Sequence, residues 1–164
     1  MKNFATNLAL IAALAIPTAS AAQESEGQRL ANLAFANVDA AERGYIDQGE
    51  FLDFGEDVFF SMDSNQDDSL SLGEFLNWGF GMSNLAEDMG REAAHETALR
   101  VVFAFWDRDG DGIISKTEHR QSLNADFLRA DTNSNAILSQ EEFTSGFSVM
   151  VALRAAINPV PVTE

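Results

Sequence analysis

One stretch of twelve residues points most directly to a fold, and it reads Asp107-Arg108-Asp109-Gly110-Asp111-Gly112-Ile113-Ile114-Ser115-Lys116-Thr117-Glu118. Oxygen-bearing side chains stand at positions 1, 3, 5, 9 and 12 of this stretch. The spacing suits calcium, which takes about six to eight oxygen ligands from a loop of this length. The expected ligands are the side chains of Asp107, Asp109, Asp111, Ser115 and Glu118 and the main-chain carbonyl of Ile113. Gly112, at position 6, permits the sharp turn that such a loop needs.

The same pattern occurs four times, in segments that we call loop 1 (39–50), loop 2 (63–74), loop 3 (107–118) and loop 4 (131–142). Each loop begins with Asp, ends with Glu and carries an aliphatic residue at position 8. The starts are 24 residues apart within each half of the chain, and the halves are offset by 68. Aromatic residues also recur: a Phe lies four residues before each loop, and position 13 is Phe51, Phe75, His119 or Phe143. An internal repeat of this kind indicates a duplicated pair of units.

Two of the other loops keep enough oxygen donors to bind a metal. For loop 2 the expected ligands are Asp63, Asn65, Asp67, the carbonyl of Ser69, Ser71 and Glu74. For loop 4 they are Asp131, Asn133, Asn135, the carbonyl of Ile137, Ser139 and Glu142. Loop 4 has fewer carboxylates and carries Ala136 in place of the turn glycine, so we expect weaker binding there.

Loop 1 departs from the pattern at two ligand positions. It keeps Asp39 and Glu50 at its ends, but positions 3 and 5 are Ala41 and Arg43. Two oxygens are therefore missing and a positive charge is added. We expect loop 1 to be structural and to pair with another loop without binding metal.

The lengths of the connections predict how the loops are arranged. Twelve residues separate loop 1 from loop 2, and twelve separate loop 3 from loop 4, which leaves room for one shared helix in each case. The 32 residues between loops 2 and 3 allow two helices, with a turn between residues 79 and 90. Because a shared helix keeps its two loops apart, loop 2 is expected to pair with loop 3 through Leu70 and Ile114, and loop 1 with loop 4. A last helix carrying Phe143, Phe147, Met150 and Val151 should end before Pro159.

These loops resemble those of the EF-hand calcium-binding superfamily. The resemblance implies an all-α fold of four helix-loop-helix units with shared helices and short β-bridges between paired loops. Short-linked hands in an exported chain also resemble one family, lanmodulin, whose bacterial members favour lanthanides. That family has proline at position 2 of its loops, where this chain has Ala40, Ser64, Arg108 and Thr132.

The two ends of the chain differ from the repeat region. Lys2, an apolar run over residues 4–16 and small residues up to Ala22 are typical of a signal peptide over residues 1–22. This predicts a periplasmic or secreted protein, with the EF-hand domain over 23–157 and a flexible tail over 158–164. The run is too short to cross a membrane, so no membrane span is expected in the mature chain. The net charge of −16 argues against a nucleic-acid partner, and cysteine is absent.

Three classes of function are compatible with the sequence. The first is a calcium sensor or buffer outside the cytoplasm, the second a lanthanide-binding protein, and the third a protein-interaction module that calcium stabilises. Partners would be metal ions and, for a sensor or module, a protein target. No catalytic motif is present, and we expect His95 and His119 to be surface or hydrogen-bonded residues rather than catalytic bases.

Overall fold

The computed structural model describes residues 25–78 and 81–158, which form a mostly helical fold with two small antiparallel strand pairs. The helices are α1 (Glu26–Val38), α2 (Gln48–Met62), α3 (Leu72–Trp78), α4 (Ser83–Asp88), α5 (Glu92–Trp106), α6 (Lys116–Ala130), α7 (Gln140–Gly146) and α8 (Ser148–Ile157). The strands are β1 (Ile46–Asp47), β2 (Ser69–Ser71), β3 (Ile113–Ser115) and β4 (Ile137–Leu138). The expected signal peptide, and the expected tail beyond Asn158, lie outside the described residues.

Each of the two short connections is a single helix, as the sequence predicts. Helix α2 joins loop 1 to loop 2, and α6 joins loop 3 to loop 4. Both begin with a capping box, in which the side chain of the cap and that of a glutamate three residues later satisfy each other's main-chain N–H groups. Each helix ends at the aspartate that begins the next loop. The N–H of that aspartate, Asp63 or Asp131, donates to the carbonyl of a phenylalanine four residues earlier.

The predicted pairing of the loops is confirmed. Strands β2 and β3 run antiparallel with Leu70 opposite Ile114, which ties loop 2 to loop 3. Strands β1 and β4 pair in the same way, with Ile46 opposite Leu138, and tie loop 1 to loop 4. All four aliphatic side chains have no exposed surface. The aliphatic residue at position 8 of each loop is therefore a core residue.

The recurring aromatic residues form four equivalent contacts in the core. In each contact, the ring that precedes one loop meets the ring at position 13 of the loop paired with it. The ring centroids are 5.1–5.8 Å apart in the pairs Phe35–Phe143, Phe51–Phe127, Phe59–His119 and Phe75–Phe103. Ring pairs at such distances contribute stability beyond their buried area. The two halves of the chain thus pack reciprocally, and His119 takes the place of a phenylalanine.

The centre of the chain differs from the prediction of two helices and a turn. A third helix, the six-residue α4, lies inside the expected turn, between positive-φ glycines at Gly81 and Gly90. The buried side chains of Met82 and Ala86 anchor it, and it packs against α5. The prediction missed α4 because six residues are too few to show a helical period.

The last predicted helix is also divided, because Phe147 is extended and separates α7 from α8. A side chain at Gly146 would lie 2.5 Å from Cα of Ala130, so α7 is pressed against the end of α6. The turn directs α8 across α5 and leaves Val151 43% exposed rather than in the core. As predicted, the helical segment ends before Pro159, at Ile157. None of the described helices is long and apolar enough to cross a membrane.

Candidate metal centre

A network of hydrogen bonds to the first aspartate gives all four loops the same main-chain form. In loop 3 the carboxylate of Asp107 accepts from the N–H groups of Asp111, at 3.1 Å, and Gly112, at 3.0 Å. The first aspartates of loops 1, 2 and 4 also accept from the N–H groups at positions 5 and 6, at 2.7–3.1 Å. These hydrogen bonds hold the carboxylate at position 1 against the main chain of positions 5 and 6 in each loop.

A second shared feature is the left-handed backbone at positions 4 and 6 of every loop. In loop 3 both positions are glycine, with φ of 76° at Gly110 and 89° at Gly112. The other loops place side-chain-bearing residues in this region: Glu42, Gln66, Asp68, Ser134 and Ala136, with φ of 53–65°. Residues other than glycine pay an energetic penalty there, smallest for Asp and Asn. All four loops therefore turn sharply at the same two positions.

Three carboxylates converge in loop 3. Ligand oxygens of Asp107, Asp109 and Glu118 all lie within 4.8 Å of one another. Two oxygens that share one calcium ion at about 2.4 Å lie no more than about 4.8 Å apart, so the three fit a single ion. No other group of three acidic, histidine or cysteine residues meets this criterion in residues 25–78 and 81–158.

The remaining predicted ligands of loop 3 make hydrogen bonds that stabilise the local fold. The carboxylate of Asp111 accepts from the N–H of Ile113 at 3.0 Å. The hydroxyl of Ser115 donates to Glu118 at 2.8 Å and also accepts from its N–H, which caps α6. Ile113 and Ser115 both lie in β3, so the loop-pairing strand fixes their main chain.

Glu118 reaches back across loop 3 and is held in its ionised form. One oxygen accepts from the N–H groups of Arg108, at 2.9 Å, and Asp109, at 3.3 Å. The other accepts from the N–H of Ser115 at 2.9 Å. The hydrogen bonds from the N–H and hydroxyl of Ser115 lower the pKa of Glu118. The side chain is therefore an anion at neutral pH, as a cation ligand must be.

Loop 2 repeats this arrangement with a different set of donors. Glu74 accepts from the N–H of Ser64 at 3.1 Å and from the N–H of Ser71 at 3.0 Å. The N–H and hydroxyl of Ser71 lower the pKa of Glu74 to about 2. The side-chain oxygens of Asn65 and Asp67 accept from main-chain N–H groups inside the loop. The three carboxylates of loop 2, those of Asp63, Asp67 and Glu74, do not all lie within 4.8 Å of one another. Position 3, which supplies one of the three converging carboxylates in loop 3, is the amide Asn65 in loop 2.

Loop 4 has the same form with amides at two of the ligand positions. Glu142 accepts from the side-chain amide of Asn133 at 2.8 Å and from the N–H of Ser139 at 3.0 Å, and the latter bond lowers its pKa. Asn135 accepts from the N–H of Ile137 at 3.1 Å. Asp131 and Glu142 are its two carboxylates among the predicted ligands, so loop 4 offers less negative charge than loops 2 and 3.

The side chain of Arg43 lies inside loop 1, which was predicted not to bind metal. Its guanidinium donates to Asp47 at 2.7 Å and also to Glu50, the residues at positions 9 and 12. Sequence analysis identified Arg43 as an added charge but not its contact with these two acids. The available signal was their spacing, since acids four and seven residues after an arginine are within its reach.

His119 differs from the expectation of a surface or hydrogen-bonded histidine. It is 4% exposed and packs between the rings of Phe59 and Trp106. Its Nε2 has no hydrogen-bond partner among the described residues. Burial lowers the pKa of His119 to about 4, so the ring is neutral at pH 7.

No protein-family model matches the chain, and no curated protein sequence is significantly similar to it.

Proposed function

We propose that the protein is an exported EF-hand protein that binds calcium through loops 2, 3 and 4. The observation that carries this proposal is the convergence of Asp107, Asp109 and Glu118 in a loop whose main-chain form the other loops share. The mostly helical fold, the shared helices α2 and α6 and the two strand pairs support this proposal, because the resemblance implies an all-α fold with shared helices and paired loops.

The chemistry of the donors favours a hard cation. Every side-chain donor that we propose in the three loops is a carboxylate, an amide or a hydroxyl, and the chain has no cysteine. Oxygen donors of this kind suit calcium and magnesium, whereas zinc and copper prefer sulfur and imidazole. Calcium tolerates an irregular set of oxygens better than magnesium, which demands near-ideal octahedral geometry. Loops that combine carboxylates, amides and main-chain carbonyls therefore fit calcium best.

The ligand sets predict an order of affinity. Loop 3 contributes four carboxylates, loop 2 contributes three and loop 4 contributes two. Affinity in such loops depends on ligand charge and on the rigidity of the site. Loop 3 also has glycine at both left-handed positions, so it closes without backbone strain. We expect loop 3 to bind most tightly, followed by loop 2 and then loop 4.

A sensor role requires an apolar surface that metal can expose, and an apolar cavity in the fold is the candidate for it. The cavity has a volume of about 330 Å³, and its lining includes Phe51, Trp106, Phe143 and Met150. Trp78 and Phe54 also line it, and both are only partly buried. Sensor proteins of this type expose an apolar groove when metal binds, whereas buffers change little. A calcium-dependent rise in the fluorescence of an apolar dye would support the sensor role.

Isothermal calorimetry of the mature chain tests the proposal. We expect two or three calcium ions per molecule, bound in distinguishable steps. A parallel titration with lanthanum tests the lanthanide alternative, which predicts a preference for lanthanum far beyond that expected from its higher charge. If neither calcium nor lanthanum gave any binding heat, the proposed function would be contradicted.

A further inference from the structure

Loop 1 is closed in the same way as the other loops, although it lacks two of their oxygen donors. Asp39 accepts from the N–H of Arg43 at 2.9 Å and from that of Gly44 at 2.7 Å. Glu42 and Gly44 have the same left-handed backbone as positions 4 and 6 elsewhere. Loop 1 therefore has the closed main-chain form without the full set of metal ligands.

The guanidinium of Arg43 is placed to balance that charge. Its Nη2 donates to the carboxylates of both Asp47, at 2.7 Å, and Glu50. Together with Asp39, these are the three acids at positions 1, 9 and 12 of the loop. Because one nitrogen contacts both Asp47 and Glu50, these two carboxylates lie close together and would repel each other without a cation between them. Arginine is well suited to this role because its charge is permanent and its donors form a planar fork.

The surroundings of Arg43 hold its side chain in place. Its guanidinium carbon lies 4.6 Å from the centre of the Tyr45 ring, within range of a cation–π contact. The side chains of Arg43 and Glu50 are 34% and 16% exposed, whereas both members of the Arg100–Glu96 pair on α5 are at least 50% exposed. Water and salt therefore screen the Arg43–Glu50 contact less than an ordinary surface ion pair.

We infer that the guanidinium of Arg43 is the built-in cation of loop 1 and takes the place that a metal ion takes in the other loops. The inference rests on the proposed function, since it compares Arg43 with bound calcium. Loop 1 then stays closed with or without metal. Because Ile46 pairs with Leu138, a closed loop 1 also holds β4 of loop 4 in position. Metal binding therefore changes mainly the conformation of the loop pair formed by loops 2 and 3.

Replacing Arg43 with asparagine tests this inference, because the variant removes the cation and supplies an oxygen at position 5. With a chelator present, we expect Arg43→Asn to melt measurably below the wild type, because Asp47 and Glu50 lose the cation that contacts both of them. Arg100→Gln is the control, and it should melt within about 1 °C of the wild type because its ion pair is exposed and glutamine keeps the helix propensity of arginine. In calorimetry, Arg43→Asn should bind one more ion per molecule than the wild type.

A second variant separates charge from packing. Arg43→Lys keeps a cation near the two acids and should retain most of the melting temperature that Arg43→Asn loses. Equal losses in the two variants would overturn the inference, as would an Arg43→Asn melt in chelator that matches the wild type. These melts need no metal, so they test the role of Arg43 separately from the proposed function. Failure of that function would appear as a wild-type protein that binds no ion.

Discussion

Leu70 and Ile114 face each other across the antiparallel strands β2 and β3, and neither side chain has exposed surface. Leu70 belongs to loop 2 and Ile114 to loop 3, so a backbone movement in one loop displaces the strand of the other. The ammonium of Lys116 in loop 3 also forms an ion pair with Asp68 in loop 2. Two candidate metal sites therefore share one small sheet.

Truncation of Leu70 should disturb a metal site that contains none of its atoms. Leu70→Ala creates a cavity between the two loops and should cost about 2–5 kcal/mol of unfolding free energy. Because β3 loses its packing, calcium binding at loop 3 should weaken as well, measured by calorimetry. Leu128→Ala, at a side chain that is 69% exposed, should change stability by less than about 0.5 kcal/mol. Unaltered binding at loop 3 in a folded Leu70→Ala protein would show that the two loops are independent.

Backbone strain at position 6 of loop 4 should be relieved by glycine. Ala136 has φ of 65°, a conformation that costs an L-residue about 1–2 kcal/mol. Part of the gain is lost because glycine gives the unfolded chain more freedom. Ala136→Gly should therefore raise the unfolding free energy by roughly 0.5–1 kcal/mol, measured by denaturant titration.

The reverse substitution in loop 3 is the control for this prediction. A Cβ at Gly112 would have no neighbouring atom within 4 Å, so only the backbone angle opposes it. Gly112→Ala should destabilise by about 1 kcal/mol. If both substitutions shifted stability in the same direction, strain at position 6 would not be the cause.

The sequence predicted the loop pairing and the shared helices because their determinants are local spacings. Twelve residues between loops exclude two helices, and aliphatic residues at position 8 define the strand contacts. The turn at Phe147 was missed because it depends on the close approach of Gly146 to Ala130, which no local pattern encodes. The contact of Arg43 with Asp47 and Glu50 was missed although their spacing signals it, because the side-chain rotamer that makes the contact depends on the closed loop.

His119 shows how far the repeat carries structural information. His119 occupies position 13 of loop 3, where the other three loops have a phenylalanine, so the repeat predicts a ring in the core. Histidine as a residue type suggests a polar environment instead. The structure follows the repeat: the imidazole packs against Phe59, with ring centroids 5.1 Å apart.

Replacement of His119 by phenylalanine should stabilise the protein, because the buried Nε2 without a partner costs about 1–3 kcal/mol. It should also remove a dependence on pH. The pKa of His119 is lowered from 6.5 to about 4 in the folded chain, so the unfolded chain binds the proton more readily. The contribution of the neutral ring to stability is thus present above pH 6.5 and is lost as the pH falls towards 4.

Denaturant unfolding from pH 7 to pH 4 in chelator measures this effect. We expect the stability of the wild type to fall faster than that of His119→Phe, so that the gap between them widens as the pH is lowered. Parallel curves over this range would show that His119 takes up no proton on unfolding.

A paired substitution of the closing glutamates tests whether loop 3 binds a metal ion and loop 1 does not. Glu118→Gln and Glu50→Gln make the same chemical change, and both residues belong to a capping box at the start of a shared helix. Their calcium titrations should be run side by side by calorimetry. We expect Glu118→Gln to lose the tightest binding step, whereas Glu50→Gln should keep every step and lose only some stability, because glutamine still completes the capping box but gives up the ion pair with Arg43. Loss of a calcium ion from Glu50→Gln, or full binding by Glu118→Gln, would contradict this account.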